Sequence, residues 1–140
     1  MRRLFIALGF VALAAARDAH AQAYKVIVNE ANATSGESAA EVAQLFMKKK
    51  TTWTGGTPVV PVDLTAESAT RAAFSKEVLG KDVAAMKLYW QQQMFAGRGT
   101  APDEKASDAA VIAFVKENPG AIGYVSGAAA TAGVKVLTVK

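Results

Sequence analysis

The sequence predicts an α/β fold, with a single layered domain in which a mainly parallel sheet is flanked by helices. Short β-branched runs alternate along the chain with segments whose apolar residues recur at helical spacing. Turn and capping residues separate these segments from one another. The chain has 140 residues, of which residues 22–140 remain once a predicted leader is set aside. That length suits one domain with an ordinary apolar core.

Residues 1–21 have the pattern of an export signal. Two arginines precede an uncharged apolar run over residues 4–16, and the segment ends in Ala-His-Ala, a small-x-small cleavage site. This run is too short to span a bilayer, which needs about 20 residues. We therefore expect secretion to the periplasm, cleavage of the signal, and a mature chain of residues 22–140 without a membrane span.

The mature chain starts with a strand, a helix and a second strand. Residues 24–29 form a β-branched run that ends in Asn29, which is typical of a strand with both faces covered. Ser38 and Glu41 predict a capping box at the start of a helix that has one apolar face. A glycine turn leads to a strand over residues 58–63, whose two prolines indicate an irregular or edge strand.

Three helices and two strands follow. The first helix is predicted over residues 67–79 and ends at Gly80, and the second runs from the cap Asp82 to Phe95. A loop over residues 97–102 leads to a third helix, which begins at Ser107 or Asp108 and ends at residues 118–120. The two strands are predicted over residues 121–125 and 134–139. In parallel sheets, ligands bind beyond the carboxyl ends of the strands. This rule directs attention to the strand ends at Asn29, Asp63 and Ser126.

Composition excludes most catalytic and metal chemistry. The chain has no cysteine, and its one histidine, His20, lies in the predicted signal. The mature chain therefore has no thiolate or imidazole for a zinc, haem or iron–sulfur site or for a Ser-His-Asp triad. We expect a protein that is not an enzyme and that holds no cofactor and no metal.

Charge argues against a nucleic-acid partner. Removing residues 1–21 takes three basic residues and one acidic residue from a net charge of +4, which leaves 13 basic and 11 acidic residues and a net charge of +2. The one basic run, at residues 48–50, closes a predicted helix, where the helix dipole favours cations. Nucleic-acid binding requires a clustered basic stripe instead.

The best candidate site is the helix start formed by Ser68, Ala69, Thr70 and Arg71. The first turn of a helix leaves backbone N–H groups unpaired and carries roughly half a positive charge. Two hydroxyls add donors, and the guanidinium can add a two-pronged contact to an oxyanion. Nearby Asp63 could accept a hydrogen bond from protonated phosphate, which sulfate cannot donate.

A purely structural interpretation of the same residues remains open. In this interpretation Thr65 or Ser68 serves only as a helix cap, and Arg71 pairs with Glu67 across one turn. The second candidate, the Arg98-Gly99-Thr100 loop, has the same ambiguity, since its glycines permit a nest of N–H groups but also suit a plain connector. Four aromatic residues could line a pocket or form core: Trp53, Trp90, Phe95 and Tyr124.

Four segments in this order resemble the small periplasmic relatives of phosphate ABC-transporter substrate-binding proteins. They are residues 26–29 (Val-Ile-Val-Asn), residues 41–53 with a Leu-Phe pair, residues 68–74 (Ser-Ala-Thr-Arg-Ala-Ala-Phe) and residues 120–125 (Gly-Ala-Ile-Gly-Tyr-Val). The larger family members have a strand ending in asparagine, a glycine-lysine-x-x-x-tryptophan turn, a serine-glycine-threonine anion loop and a glycine-alanine-isoleucine-glycine-tyrosine strand in these places.

This resemblance implies one lobe of a type 2 periplasmic binding protein, which in the larger relatives closes with a second lobe over phosphate. The family's ligand residues carry over to Ser68, Ala69, Thr70 and Arg71. Ala69 replaces the family's glycine, no arginine stands just upstream, and the family's N-terminal threonine-glycine-serine loop has no counterpart.

Two functions follow, with a third as a remote alternative. The first is a binding module for phosphate or a similar oxyanion that serves an ABC permease. The second is an exported interaction protein that keeps the lobe fold without a ligand site and docks on an envelope partner. The third is an enzyme that uses a pair of carboxylates, as glycosidases do. The candidates are Glu30, Asp63, Glu67 and Asp103, but nothing in the sequence fixes two of them at a catalytic separation.

Overall fold

The computed structural model describes residues 23–140, a six-stranded sheet flanked by helices. The elements in chain order are β1 (Tyr24–Val28), β2 (Gly36–Glu37), α1 (Ala39–Phe46), β3 (Val60–Leu64), α2 (Ala69–Phe74) continued by a π turn (Ser75–Leu79), α3 (Val83–Phe95), β4 (Asp103–Lys105), α4 (Asp108–Glu117), β5 (Ala121–Ser126) and β6 (Lys135–Val139). The predicted α/β class is confirmed. The predicted signal, residues 1–21, lies outside the described residues.

The sheet has the strand order β2-β6-β1-β5-β3-β4. Strand β1 runs antiparallel to both of its neighbours, β5 and β6. The remaining pairs are parallel, so β1 is the one strand that points against the others in the described sheet. The expected mainly parallel sheet is therefore confirmed, but the end of β1 lies at the edge opposite to the carboxyl ends of β3 and β5.

Strand β3 lies inside the sheet, between β5 and β4, so of the two alternatives that its prolines indicated, an irregular or an edge strand, the edge strand is wrong. The Val60 N–H donates to the Gly120 carbonyl at 2.9 Å, on the β5 side. Because successive N–H groups point to opposite sides of a strand, the N–H that Pro61 lacks belongs on the β4 side. Strand β4 pairs only with Val62–Leu64, so no ladder bond is lost there.

Helices cover both faces of the sheet. Gly123 of β5 faces α4, because a Cβ there would lie 2.7 Å from the Val111 side chain. Tyr124 therefore points to the other face, where its ring stacks on Phe74 of α2 at 3.9 Å. Phe46 of α1 packs edge-on against Phe74 at 4.7 Å. These aromatic contacts place α1 and α2 together on the face opposite α4.

The predicted helix starts are confirmed by their capping bonds. Ser38, Ser68, Asp82 and Ser107 each accept a hydrogen bond from the backbone N–H three residues later. The helix expected over residues 67–79 begins at Ala69 and widens into the π turn before Gly80, which has the left-handed conformation at φ 68°. None of the helices described over residues 23–140 is long and apolar enough to cross a membrane.

Candidate functional site

Three helices begin at the carboxyl edge of the parallel strands, and each has a serine cap. Helix α1 follows β2, α2 follows β3, and α4 follows β4 after short connections. The first turns of α1 and α4 contain a carboxylate, Glu41 and Asp108 respectively, whereas that of α2 contains none. The start of α2 therefore keeps its helix-dipole charge without an acidic side chain in its own first turn.

The first turn of α2 offers two backbone donors. Ser68 Oγ accepts from the Arg71 N–H at 3.2 Å, and the Ser68 carbonyl accepts from the Ala72 N–H at 3.1 Å. Within residues 23–140, the N–H groups of Ala69 and Thr70 have no protein partner. Ala69 is exposed and Thr70 is half-buried. These two amides are therefore the candidate donors to an oxyanion at this helix start.

The Arg71 side chain turns inward, and both of its terminal nitrogens contact protein groups. It is 6 % exposed. Its Nη1 donates to the Leu64 carbonyl at 2.8 Å and contacts the Glu104 carboxylate, while Nη2 lies 3.4 Å from Asp63 Oδ2. The alternative pairing of Arg71 with Glu67 is not formed, and the guanidinium expected to contact the ligand is held by protein groups instead.

Asp63 is equally committed to the protein. Its Oδ1 accepts from the Leu64 N–H at 3.1 Å and from the Tyr124 hydroxyl. Burial raises the pKa of Asp63, although the Tyr124 hydrogen bond and the Arg71 charge act to lower it. Burial also raises the pKa of Tyr124, which stays protonated and donates. Both carboxylate oxygens of Asp63 therefore contact protein groups, and the residue is only 8 % exposed, which gives a ligand little access to it.

A cavity of about 330 Å³ adjoins this polar network. Arg71 and Glu104 of the network line it, and α3 supplies most of the other lining residues. The remaining lining residues are Lys87, Trp90, Gln91, Met94, Ala101 and Pro102. The network and the cavity together connect α2, β4 and α3.

Asn29 is not part of this edge, and the expectation that it would join Asp63 and Ser126 is wrong. Because β1 is antiparallel, Asn29 lies beside the start of β5. Its Nδ2 donates to the carbonyls of Val115 and Lys116 at 2.8 and 3.0 Å, which satisfies the C-terminus of α4. Its amide stabilises a helix end.

The loop with Arg98, Gly99 and Thr100 ends α3. The Arg98 N–H donates to the Gln93 carbonyl at 2.9 Å and the Gly97 N–H to the Met94 carbonyl at 3.1 Å, which is the Schellman pattern. The Thr100 carbonyl accepts from Lys48 Nζ at 2.9 Å. The Arg98 amide is therefore not available for an anion nest.

Sequence reasoning missed Glu104 and the hydroxyl of Tyr124. Glu104 lies on β4, a strand of three residues that pairs with β3.

Of the four aromatic residues that the sequence offered as pocket or core, Trp53, Trp90 and Tyr124 are buried, while Phe95 is 91 % exposed. Over residues 23–140, no cluster of His, Cys, Asp or Glu could hold a metal ion.

The fold is similar to several solved structures. One is described as a phosphate ABC transporter substrate-binding protein with bound phosphate from Clostridium perfringens, at 21 % identity and a TM-score of 0.65, covering 84 % of this chain and 44 % of that one. An ABC-type phosphate transport receptor from Vibrio cholerae matches at 16 % and 0.66, covering 84 % and 46 %. PstS from Borrelia burgdorferi matches at 13 % and 0.64, covering 84 % and 47 %.

These similarities establish the fold, that of one lobe of a substrate-binding protein. The chain spans less than half the length of the solved structures it matches. No family model matches the sequence. No curated protein matches it either.

Proposed function

We propose that this chain is a single-lobe binding module that takes phosphate or a related oxyanion at the first turn of α2. The site consists of the N–H groups of Ala69 and Thr70 together with the hydroxyls of Ser68 and Thr70. In this proposal residues 1–21 direct the chain to the periplasm, where it serves an ABC permease or another envelope protein. The chain acts by binding and not by catalysis.

The two free amides of α2 carry the proposal. They sit at the positive end of a helix, at the carboxyl edge where α/β sheets bind ligands. The matching Clostridium perfringens structure contains bound phosphate and shares this lobe's fold. The serine-x-threonine pattern of residues 68–70 adds two hydroxyl donors to the amides.

Charge near the site sets the expected strength and selectivity. Asp63 and Glu104 both engage Arg71, so the guanidinium offers little free positive charge to a ligand. Exposed Glu67 precedes the cap and repels an anion. We therefore expect weak binding, and we expect sulfate to bind much as phosphate does, because Asp63 is buried and engaged by protein groups and should not accept a hydrogen bond from the ligand.

Residue-resolved NMR titration tests the proposal directly. The backbone amides of Ala69 and Thr70 should move on addition of sodium phosphate at constant ionic strength, and sulfate should produce similar movements. The amides of Asp108 and Ala109, at the start of α4, serve as the internal reference. The Asp108 carboxylate should keep anions away there, so these amides should move much less.

The Ala69→Pro variant removes one donor without disturbing the helix. Proline is favoured at the first helical position, and Ser68 already has the extended conformation that a following proline requires, at φ −68° and ψ 125°. The Thr70 amide should then respond to phosphate several-fold more weakly. The matched control is Val83→Pro, at the first position of α3, which should leave the response unchanged. Unmoved amides in the unmodified protein would remove the site.

A second function, interaction without a ligand, is favoured by the engagement of Arg71. Arg71 carries the one buried guanidinium in the described chain, and Asp63 and Glu104 both contact it. The positive charge that could attract an anion is therefore balanced by carboxylates of the lobe itself. If phosphate and sulfate leave the amides of Ala69 and Thr70 unmoved while the chain stays folded, this function is the one that remains.

A further inference from the structure

The cavity of about 330 Å³ is lined by one stripe of side chains on α3. Lys87, Trp90, Gln91 and Met94 recur at the spacing i, i+3, i+4 and i+7, which places them on a single face of the helix. The stripe is polar at Lys87 and Gln91 and apolar at Met94, one turn further along. Buried Pro102 adds to the apolar lining. The cavity therefore has a polar part and an apolar part, as small-molecule sites do.

Trp90 brings an unpaired donor to this cavity. Trp90 is 8 % exposed, and a buried indole N–H usually has a hydrogen-bond partner. The Trp53 N–H follows this rule and donates to the Gly120 carbonyl at 2.9 Å, whereas the Trp90 N–H has no partner within residues 23–140. The one enclosed side-chain nitrogen without a partner in those residues belongs to Asn32. The Trp90 N–H is therefore accessible, and a ligand in the cavity can accept from it.

The charges around the cavity favour an anion. Lys87 is exposed and forms no ion pair within residues 23–140. A second ammonium, Lys48 Nζ, lies 5.9 Å from the centre of the Trp90 ring. Glu104 is the one carboxylate among the lining residues, and it contacts Arg71. The lining therefore has an unbalanced ammonium close to an unpaired N–H, and both groups require an acceptor.

We propose that this cavity binds a small organic carboxylate with one ring or a short apolar chain. The carboxylate accepts charge-assisted hydrogen bonds from Lys87 and a further bond from the Trp90 N–H, while the apolar body packs against Met94 and Pro102. A cavity of about 150 Å³ holds benzene, so one of about 330 Å³ has room for a ring and its carboxylate arm. The lining includes neither free amide of α2, so this site is separate from the one proposed for phosphate.

The size of the ligand and the exposure of the lining set the expected affinity. Lys87, Gln91 and Met94 are exposed, so solvent screens part of the attraction between Lys87 and the ligand. A carboxylate with one ring has about ten non-hydrogen atoms, for which we expect a dissociation constant of about 0.1–10 mM. Acetate and inorganic phosphate have no apolar body to pack against Met94, so both should bind much more weakly.

The indole N–H resonances of the two tryptophans measure this binding by NMR. Titration with sodium phenylacetate at constant ionic strength should move the Trp90 resonance. The Trp53 resonance is the internal reference, because that N–H already donates to the Gly120 carbonyl. Phenylacetamide has nearly the same shape without the charge and should bind several-fold more weakly. Acetate and inorganic phosphate should leave the Trp90 resonance nearly unmoved over the same range of concentration.

The Lys87→Met variant tests the charge at an exposed position where the fold should tolerate the change. It should bind phenylacetate several-fold more weakly and phenylacetamide as before. The matched control, Lys76→Met, removes an exposed lysine outside the lining and should change neither affinity. The proposal is overturned if phenylacetate moves the Trp90 resonance no further than that of Trp53, if phenylacetamide or phosphate binds as tightly as phenylacetate, or if Lys87→Met retains full affinity.

Discussion

Helices α2 and α3 follow one another in the chain but relate to the core in opposite ways. Helix α2 has six residues and buries Arg71 and Phe74. Helix α3 is more than twice as long, yet it buries only Met86 and Trp90 and exposes Phe95 almost completely. The short helix is thus part of the core, whereas the long one presents most of its surface outward.

The comparison shows that the surroundings of a side chain, more than its residue type, indicate whether it stabilises the fold or is available for another role. Phe74 stacks on Tyr124 at 3.9 Å and stabilises the lobe, while Phe95 contributes apolar surface that the lobe itself does not use. The inward guanidinium of Arg71 is a similar case, because burial of a charge requires partners and so leaves it little capacity for a ligand.

The largest effect we expect is from Phe74→Ala. Phe74 is 1 % exposed and contacts the rings of Tyr24, Phe46 and Tyr124. Removing a buried phenyl ring leaves a cavity and should lower the free energy of unfolding by about 3–5 kcal/mol. Urea denaturation measures this change. A loss below about 1 kcal/mol would contradict the central place given to α2.

The next effect is from Arg71→Ala. The change leaves Asp63, which is 8 % exposed, without its cation and the Leu64 carbonyl without a donor. A fully buried pair costs about 3–5 kcal/mol to break. We expect about 2–3 kcal/mol, because the Glu104 side chain is 46 % exposed and its share is screened. Arg98→Ala, an exposed control, should change the unfolding free energy by less than about 0.5 kcal/mol.

The pH dependence of stability provides a third, smaller test of the α2 network. Burial raises the pKa of Asp63 above its ordinary value of 3.8, so the folded protein holds this proton more tightly than the unfolded chain does. The contribution of Asp63 to stability is therefore fully present below pH 3.8 and is lost as the pH rises through the folded pKa.

The variant Asp63→Asn has no such titration and serves as the reference. Urea denaturation of both proteins at a series of pH values should show the unmodified protein losing stability relative to Asp63→Asn as the pH rises from 3.8. If the unmodified protein instead gains stability relative to Asp63→Asn as the pH rises, attraction to Arg71 outweighs burial in setting the pKa of Asp63.

The smallest effect we expect is from Phe95→Ala, which matches Phe74→Ala in chemistry. Because Phe95 is 91 % exposed, the free energy of unfolding should change by less than about 0.5 kcal/mol. Urea denaturation measures this change. A large loss would place Phe95 in the core of the lobe and remove the contrast between the two helices.

Local signals were predictable from the sequence, and short-range contacts explain why. The caps Ser38, Ser68, Asp82 and Ser107 act on N–H groups three residues away, so the residues that form each helix start are adjacent in the chain. The fold resemblance rested on similarly local segments. Strands β2 and β4, of two and three residues, gave no periodic signal because such short strands exist only through pairing with distant partners.

The candidate site was predictable in position but not in detail. The start of α2 falls where the pattern of Ser68 and Thr70 placed it. The orientation of Arg71 depends on Glu104, 33 residues away, and the state of Asp63 depends on Tyr124, 61 residues away. No spacing rule connects residues so far apart.

By itself, the amino-acid sequence determined the kind of domain, the segments that become helices and long strands, and the absence of thiol and imidazole side chains from residues 22–140. The tertiary structure alone decided the direction of β1, which moves Asn29 to the opposite edge of the sheet, and the side of each helix that is covered. The physical reason is range, since capping and periodicity act within a few residues while strand pairing and burial join residues that only the folded chain brings together.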